Sequence, residues 1–139
     1  MANTAGVSNN AKLKMLAAAV PPADTIMGAL YQTTASIGPT TSAYTATGEV
    51  SSSGYTAGGA TVTHGTAASL SGSTAIWTPS ASLSWTGVSF TADCLLMYNS
   101  SDSNAAIESL TFSSQTVTAG TFTLTMPTND ASNALLRIG

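Results

Sequence analysis

The chain has 139 residues, a net charge of −3, 6% charged residues and one cysteine. That length suits a single domain with a core of its own. So few charges, against about 25% in an ordinary domain, leave Lys12, Lys14 and Arg137 as the only cations and exclude nucleic-acid binding, which needs several Lys or Arg to replace phosphate counterions.

Residues 1–8, MANTAGVS, are small and polar and read as an arm. NNAKLKMLAAAV places Leu13, Leu16, Ala17 and Val20 at helical spacing, with Asn9 or Asn10 as the expected cap. Pro21 and Pro22 stop that helix. Its apolar patch is too short and its polar lead too long for an ordinary secretion signal, and no apolar run approaches the ~18 residues of a membrane span. TIMGALYQ, residues 25–32, reads as a strand with apolar groups on both faces, so it is expected to be covered on both sides. The pattern then fails from 33 to 59. This connection is rich in glycine, yet Tyr44, Val50 and Tyr55 argue against a plain solvated linker.

After Gly59 the chain becomes a series of short strands: ATVTHGTAASL, TAIWT, LSWTGVSF, ADCLLMYN, AAIESLTFS, QTVTAG, TFTLTMP and NALLRI. ADCLLMYN, 92–99, is the most continuously apolar and the expected central strand. SSDSN is the expected turn after it. Short strands separated by Gly, Pro, Asn and Ser turns indicate a mainly β fold, an antiparallel β-sandwich or barrel-like domain. It would carry one short N-terminal helix and a long structured loop. Residues 1–23 form the arm and helix; 24–139 form the β domain, with the loop at 33–59.

Chemistry is sparse. His64 lies alone in TVTHGT and reads as structural, and serines are too abundant for a Ser–His–Asp match to mean anything. Cys94 reads as a small buried hydrophobe and cannot form a disulfide within the chain. The six carboxylates are scattered, so no metal site is expected. Asp102 reads as part of a hairpin turn rather than a calcium ligand. GEVSSSGYTAGG lacks the lysine and following helix of a phosphate loop. No catalytic residue, cofactor or metal is expected.

ALYQTTASIGPTTSAYTATGEVSSSGYTAGG, residues 29–59, resembles a set of small virion structural proteins of tailed bacteriophages. Those chains share an ALY-like strand, a long loop, a GEVS–x–x–GYTAGG segment, a Trp-containing strand region and a strand ending like LLMYN, 95–99. The likeness runs from about Ala11 to Ile138. It departs at Ala92–Asp93–Cys94, where similar chains often carry a basic residue. The resemblance implies a non-enzymatic capsid decoration or cement protein on the virion surface, made in the host cytoplasm. Its expected partners are the major capsid protein and further copies of itself around a local symmetry axis, with no nucleic acid and no membrane. The arm 1–23 and loop 33–59 are the expected contacts. Lys12, Lys14, Tyr44, Glu49, Val50 and Tyr55 are the candidate interface residues, the two tyrosines as anchors. The alternatives are a tail, neck or fibre component, or a carbohydrate-binding sandwich in which Trp77 and Trp85 stack on sugar rings.

Overall fold

The computed structural model describes residues 3–139. One helix, α1 (Asn9–Ala19), precedes seven strands: β1 (Ile26–Tyr31), β2 (Ala60–Thr61), β3 (Ser69–Ser71), β4 (Thr74–Trp77), β5 (Leu83–Asn99), β6 (Ala105–Leu124) and β7 (Leu136–Ile138). They form two antiparallel sheets, β2-β1-β5-β6 and β3-β4-β7. The fold is mainly β, 42% strand and 8% helix, and of the two architectures expected it is sandwich-like rather than a closed barrel.

The cap of α1 lies one residue before the first of the two expected ones. Ser8, not Asn9 or Asn10, supplies the side chain that accepts from the Ala11 N–H at 3.1 Å, satisfying one of the orphan donors of the first turn. At the other end the Val20 N–H donates to the Leu16 carbonyl, and the two prolines prevent continuation. α1 lies against β3, β4 and β7. Leu16 and Val20 enter the main core with Ile26, Leu30, Trp77, Leu83, Leu95 and Met97. Each fully buried side chain of this size contributes about 1.5–3 kcal/mol.

β1 is covered on both faces, as its sequence leads one to expect. Ile26 and Leu30 point into the main core, while Ala29 and Tyr31 point into a second cluster with Cys94, Leu96 and Tyr98. The division follows from the two-residue period of a strand. β1 pairs with β5 from Ile26↔Asn99 to Tyr31↔Cys94, so 92–99 is indeed central.

β5 and β6 differ from the reading of several short strands. They are continuous strands of 17 and 20 residues, joined by a tight hairpin in which Ser103 and Asn104 take positive φ, 51° and 59°. Successive left-handed residues suit the twist of such turns, and Asp102 serves the turn by accepting from the Ala105 N–H. Register shifts fall between Trp85/Val88, Val88/Phe90, Ala92/Cys94 and Met97/Tyr98. Each shift resets the inward–outward alternation, which is why the run looks like separate segments in the sequence.

The alternating run after Gly59 is shorter than it looks. β2 ends at Thr61 because Val62 turns into the main core and the chain crosses to the second sheet. His64 marks that crossing. Its Nε2 donates to the Val20 carbonyl at 2.8 Å, and its ring lies 5.2 Å from that of Trp77.

Candidate functional site

Residues 33–59 leave the end of β1 and return as β2, which pairs back onto β1. Four backbone hydrogen bonds, in two bridges, tie this excursion down. Gln32 N–H donates to Gly48 O at 2.9 Å and Val50 N–H to Leu30 O at 3.0 Å, making a one-rung ladder, Tyr31↔Glu49. On the far side, Tyr44 N–H donates to Asn104 O and Ala106 N–H to Ser42 O, both at 3.0 Å, around the bridge Ala43↔Ala105. The loop therefore crosses the second face of the larger sheet. Ala35, Ile37 and Tyr44 pack there against Ala29, Tyr31, Cys94, Leu96 and Tyr98.

The centre of the loop is Glu49. Its side chain is buried, and a buried carboxylate is costly unless hydrogen bonds replace its water. They do. Tyr44 donates to Oε2 at 2.6 Å, while Tyr55 and the Gly58 N–H donate to Oε1 at 2.7 and 2.8 Å. The Tyr55 oxygen also accepts from the Leu30 N–H at 2.9 Å, so one phenol links the loop carboxylate to the central strand. Two further phenols hold loop carbonyls: Tyr31 donates to Thr45 O and Tyr98 to Gly58 O, both at 2.7 Å. Tyr98 also stacks on Tyr44, with centroids 4.8 Å apart.

The electrostatics match this geometry. Burial, with Glu49 beside it, pushes the phenols of Tyr55 and Tyr44 well above their ordinary value of 10. Burial pushes Tyr31 up to about 12 and also raises Tyr98. All four tyrosines stay protonated donors through the neutral range. With both oxygens of Glu49 occupied by donors from its own chain, the cluster's chemistry is to hold the loop.

Gly59 completes the attachment. Its φ is +85°, and a Cβ placed there would lie 1.8 Å from the Gly28 carbonyl oxygen. Only glycine permits both the left-handed backbone and the close pass of the returning chain over β1.

These placements revise the interface expectations. Glu49, Val50 and Tyr55 are buried within their own chain, and Tyr44 is half-buried with its hydroxyl on Glu49. In this conformation they shape the loop's outer surface from beneath. Tyr44 and Tyr55 are internal anchors, and replacing both with Ala would dismantle the loop. Lys14 is exposed, while Lys12 is half-buried with Nζ donating to the Ser73 carbonyl at 3.0 Å. Trp77 and Trp85 are 0% and 5% exposed, so neither presents a ring face for a sugar to stack on.

A surface notch of about 350 Å³ lies beside the hub, lined by Gln32, Thr33, Thr34, Ser51, Phe90 and Thr91 among others. None of its lining groups is ionisable, so proton transfer has no side chain to work through there. Cys94 is buried, and burial raises its thiol above the ordinary range, away from the reactive thiolate. Among the described residues no group of three or more His, Cys, Asp or Glu lies together.

Comparison with family models, curated proteins and solved structures finds no match to this chain. The roles above therefore rest on its own geometry. Sequence reasoning singled out Tyr44, Glu49 and Tyr55 but not their connection. It missed Tyr31, Tyr98 and the N–H groups of Leu30 and Gly58 as partners. The available signal was the presence of aromatic and apolar residues in a glycine-rich stretch, which need something to pack against.

Proposed function

We propose that this chain is a non-enzymatic structural protein of a tailed-phage virion, a decoration or cement protein that binds the assembled head and bridges neighbouring capsomers. The observation that carries the reading is the locked loop. GEVSSSGYTAGG, the segment most specific to the resemblance, supplies the Glu49 hub, the Tyr55 link and the Gly59 pass. A loop fixed in advance presents a ready-made surface and loses little conformational entropy on docking. Low charge and a hydroxyl-rich exterior also favour life within an assembly, where self-repulsion is a disadvantage.

The mechanism is contact repeated by symmetry. Many modest interfaces around a closed shell add through avidity, and rupture requires several to fail together. The test compares heads assembled with and without this chain. Heads lacking it should rupture at lower temperature, and adding back the purified protein should restore the difference. If the two kinds of head are equally resistant and the protein does not bind either, the reading fails.

A further inference from the structure

The register of β1 on β5 ends at Tyr31↔Cys94, while β5 itself runs back to Leu83. Past that point residues 32–34 leave β5. The notch of about 350 Å³ opens here, between the end of β1, the returning loop at 50–51 and β5 at 90–91.

Its walls are held from behind. The bonds that dock the loop, Gln32 N–H to Gly48 O and Val50 N–H to Leu30 O, fix two of them, and Gln32 Nε2 adds a bond to the Glu49 carbonyl at 3.2 Å. On the third wall the Thr91 hydroxyl lies 2.9 Å from that of Thr116 across the hairpin. Phe90 is set edge-to-face against Tyr55 and Phe122, with centroids 6.2 and 5.6 Å away. Walls fixed in advance lose little entropy when a ligand enters, and the volume falls within the range of about 300–1,000 Å³ of small-molecule sites.

The lining selects a class of ligand. Gln32, Thr33, Thr34, Ser51 and Thr91 are exposed, and each carries a side chain able both to donate and to accept. The half-buried Phe90 and buried Val50 add an apolar patch. No lining group is ionisable, and Glu49, next to Val50, has both oxygens taken by donors of its own chain. An ion entering the notch would give up water without meeting an opposite charge. A wholly apolar ligand would strip water from five polar side chains without replacing their hydrogen bonds. A neutral polyhydroxyl compound meets both conditions: its hydroxyls exchange hydrogen bonds with the rim, and its C–H groups cover the aromatic ring.

We propose that this notch is a binding site for an uncharged saccharide, with the Phe90 ring against a sugar face and Gln32, Thr34, Ser51 and Thr91 around it. It is a different place from Trp77 and Trp85, which are buried. The site stands on the geometry of the free chain and does not need the cement reading. With so few direct contacts its dissociation constant is about 1 mM. Under the cement reading the shell repeats the site many times, and avidity strengthens attachment to a glycan-coated surface by about 10²–10⁴-fold.

The test is titration of the purified full chain, followed by NMR chemical shifts, with maltotriose, cellotriose and chitotriose; sialyllactose and a blocked Gly-Ser peptide serve as comparisons. At least one of the neutral trisaccharides should bind at about 1 mM, with shifts centred on residues 32–34, 50–51 and 90–91. Thr34→Arg and Ser51→Arg place long side chains in the notch from exposed positions and should each weaken binding by about tenfold or more. Phe90→Leu keeps apolar bulk but removes the ring, and should weaken it several-fold. Asn10→Arg, on α1 against the smaller sheet, adds the same charge and should match wild type; circular dichroism checks that all four variants fold. Three results overturn the proposal: no neutral trisaccharide bound up to about 20 mM, sugar binding untouched by both notch arginines, or tighter binding of sialyllactose or the peptide than of every neutral sugar. None of these bears on the cement reading, which the comparison of heads with and without this chain tests separately.

Discussion

Replacing Glu49 with Ala should release the loop without unfolding the domain. The substitution removes the acceptor of three donors, the hydroxyls of Tyr44 and Tyr55 and the Gly58 N–H. A buried donor left without a partner costs about 1–3 kcal/mol. Tyr55 is buried and bears the full cost, whereas Tyr44 and Gly58 are half-buried and recover part of theirs from water. The sum is about 3–5 kcal/mol, a large share of a typical domain stability of about 5–15 kcal/mol. Glu49→Gln keeps one carbonyl acceptor, and its amide can donate to the Tyr44 oxygen, so it should cost only about 1–2 kcal/mol. Hydrogen exchange followed by mass spectrometry reads the effect directly. Peptides from 33–59 should lose protection strongly in Glu49→Ala and mildly in Glu49→Gln, while peptides from β5 keep theirs. Denaturant titration gives the global loss. Wild-type protection of the loop in Glu49→Ala, with a stability loss under about 1 kcal/mol, would refute the claim that this carboxylate organises the loop.

Three further outcomes follow from the same geometry. Burial pushes the Glu108 carboxyl from its ordinary 4.5 up to about 7, against the opposing pull of Arg137. The folded state thus holds this proton more tightly than the unfolded chain, so stability falls as pH rises from about 4.5 through 7. That difference, at about 1.36 kcal/mol per pH unit and discounted by half for solvent contact, gives about 1–2 kcal/mol. Glu108→Gln should flatten the melting-temperature profile over that window and exceed wild type at pH 8; an unchanged slope would remove Glu108 as its source. Gly59→Ala must place a Cβ against the Gly28 carbonyl at positive φ, so a loss of about 3 kcal/mol or more is expected by thermal denaturation, and near-wild-type stability would contradict the close pass. The raised phenols of Tyr55, Tyr44 and Tyr31 make the folded state disfavour phenolate, so their contribution is complete below pH 10 and lost above it. Phenolate absorbance should rise late and together with loss of loop protection; free titration near 10 would show that these hydroxyls are not held.

The sequence was most legible where one physical rule acts alone. The helix at 9–19 follows from spacing and two prolines, and the doubly covered β1 follows from apolar residues at both parities. It was least legible where rules overlap. β5 and β6 looked like five pieces because the register shifts along them break the alternation, and Gly87 and Ala119, both at positive φ, resemble turns when read locally. The hub was half visible. Tyr44 and Tyr55 stood out as residues a linker does not need, but they lie five residues before and six after Glu49, a spacing that matches no helix or strand period. Only the fold shows that all three meet over β1, and so an apparent outward anchor proves to be an inward one.

The central functional claim is a place on the shell, and copy number tests it most directly. Quantitative mass spectrometry of purified particles should find this chain at a stoichiometry close to that of the major capsid protein. A dozen copies or fewer would move it to the neck, tail or fibres, and its absence from particles would contradict the virion reading outright.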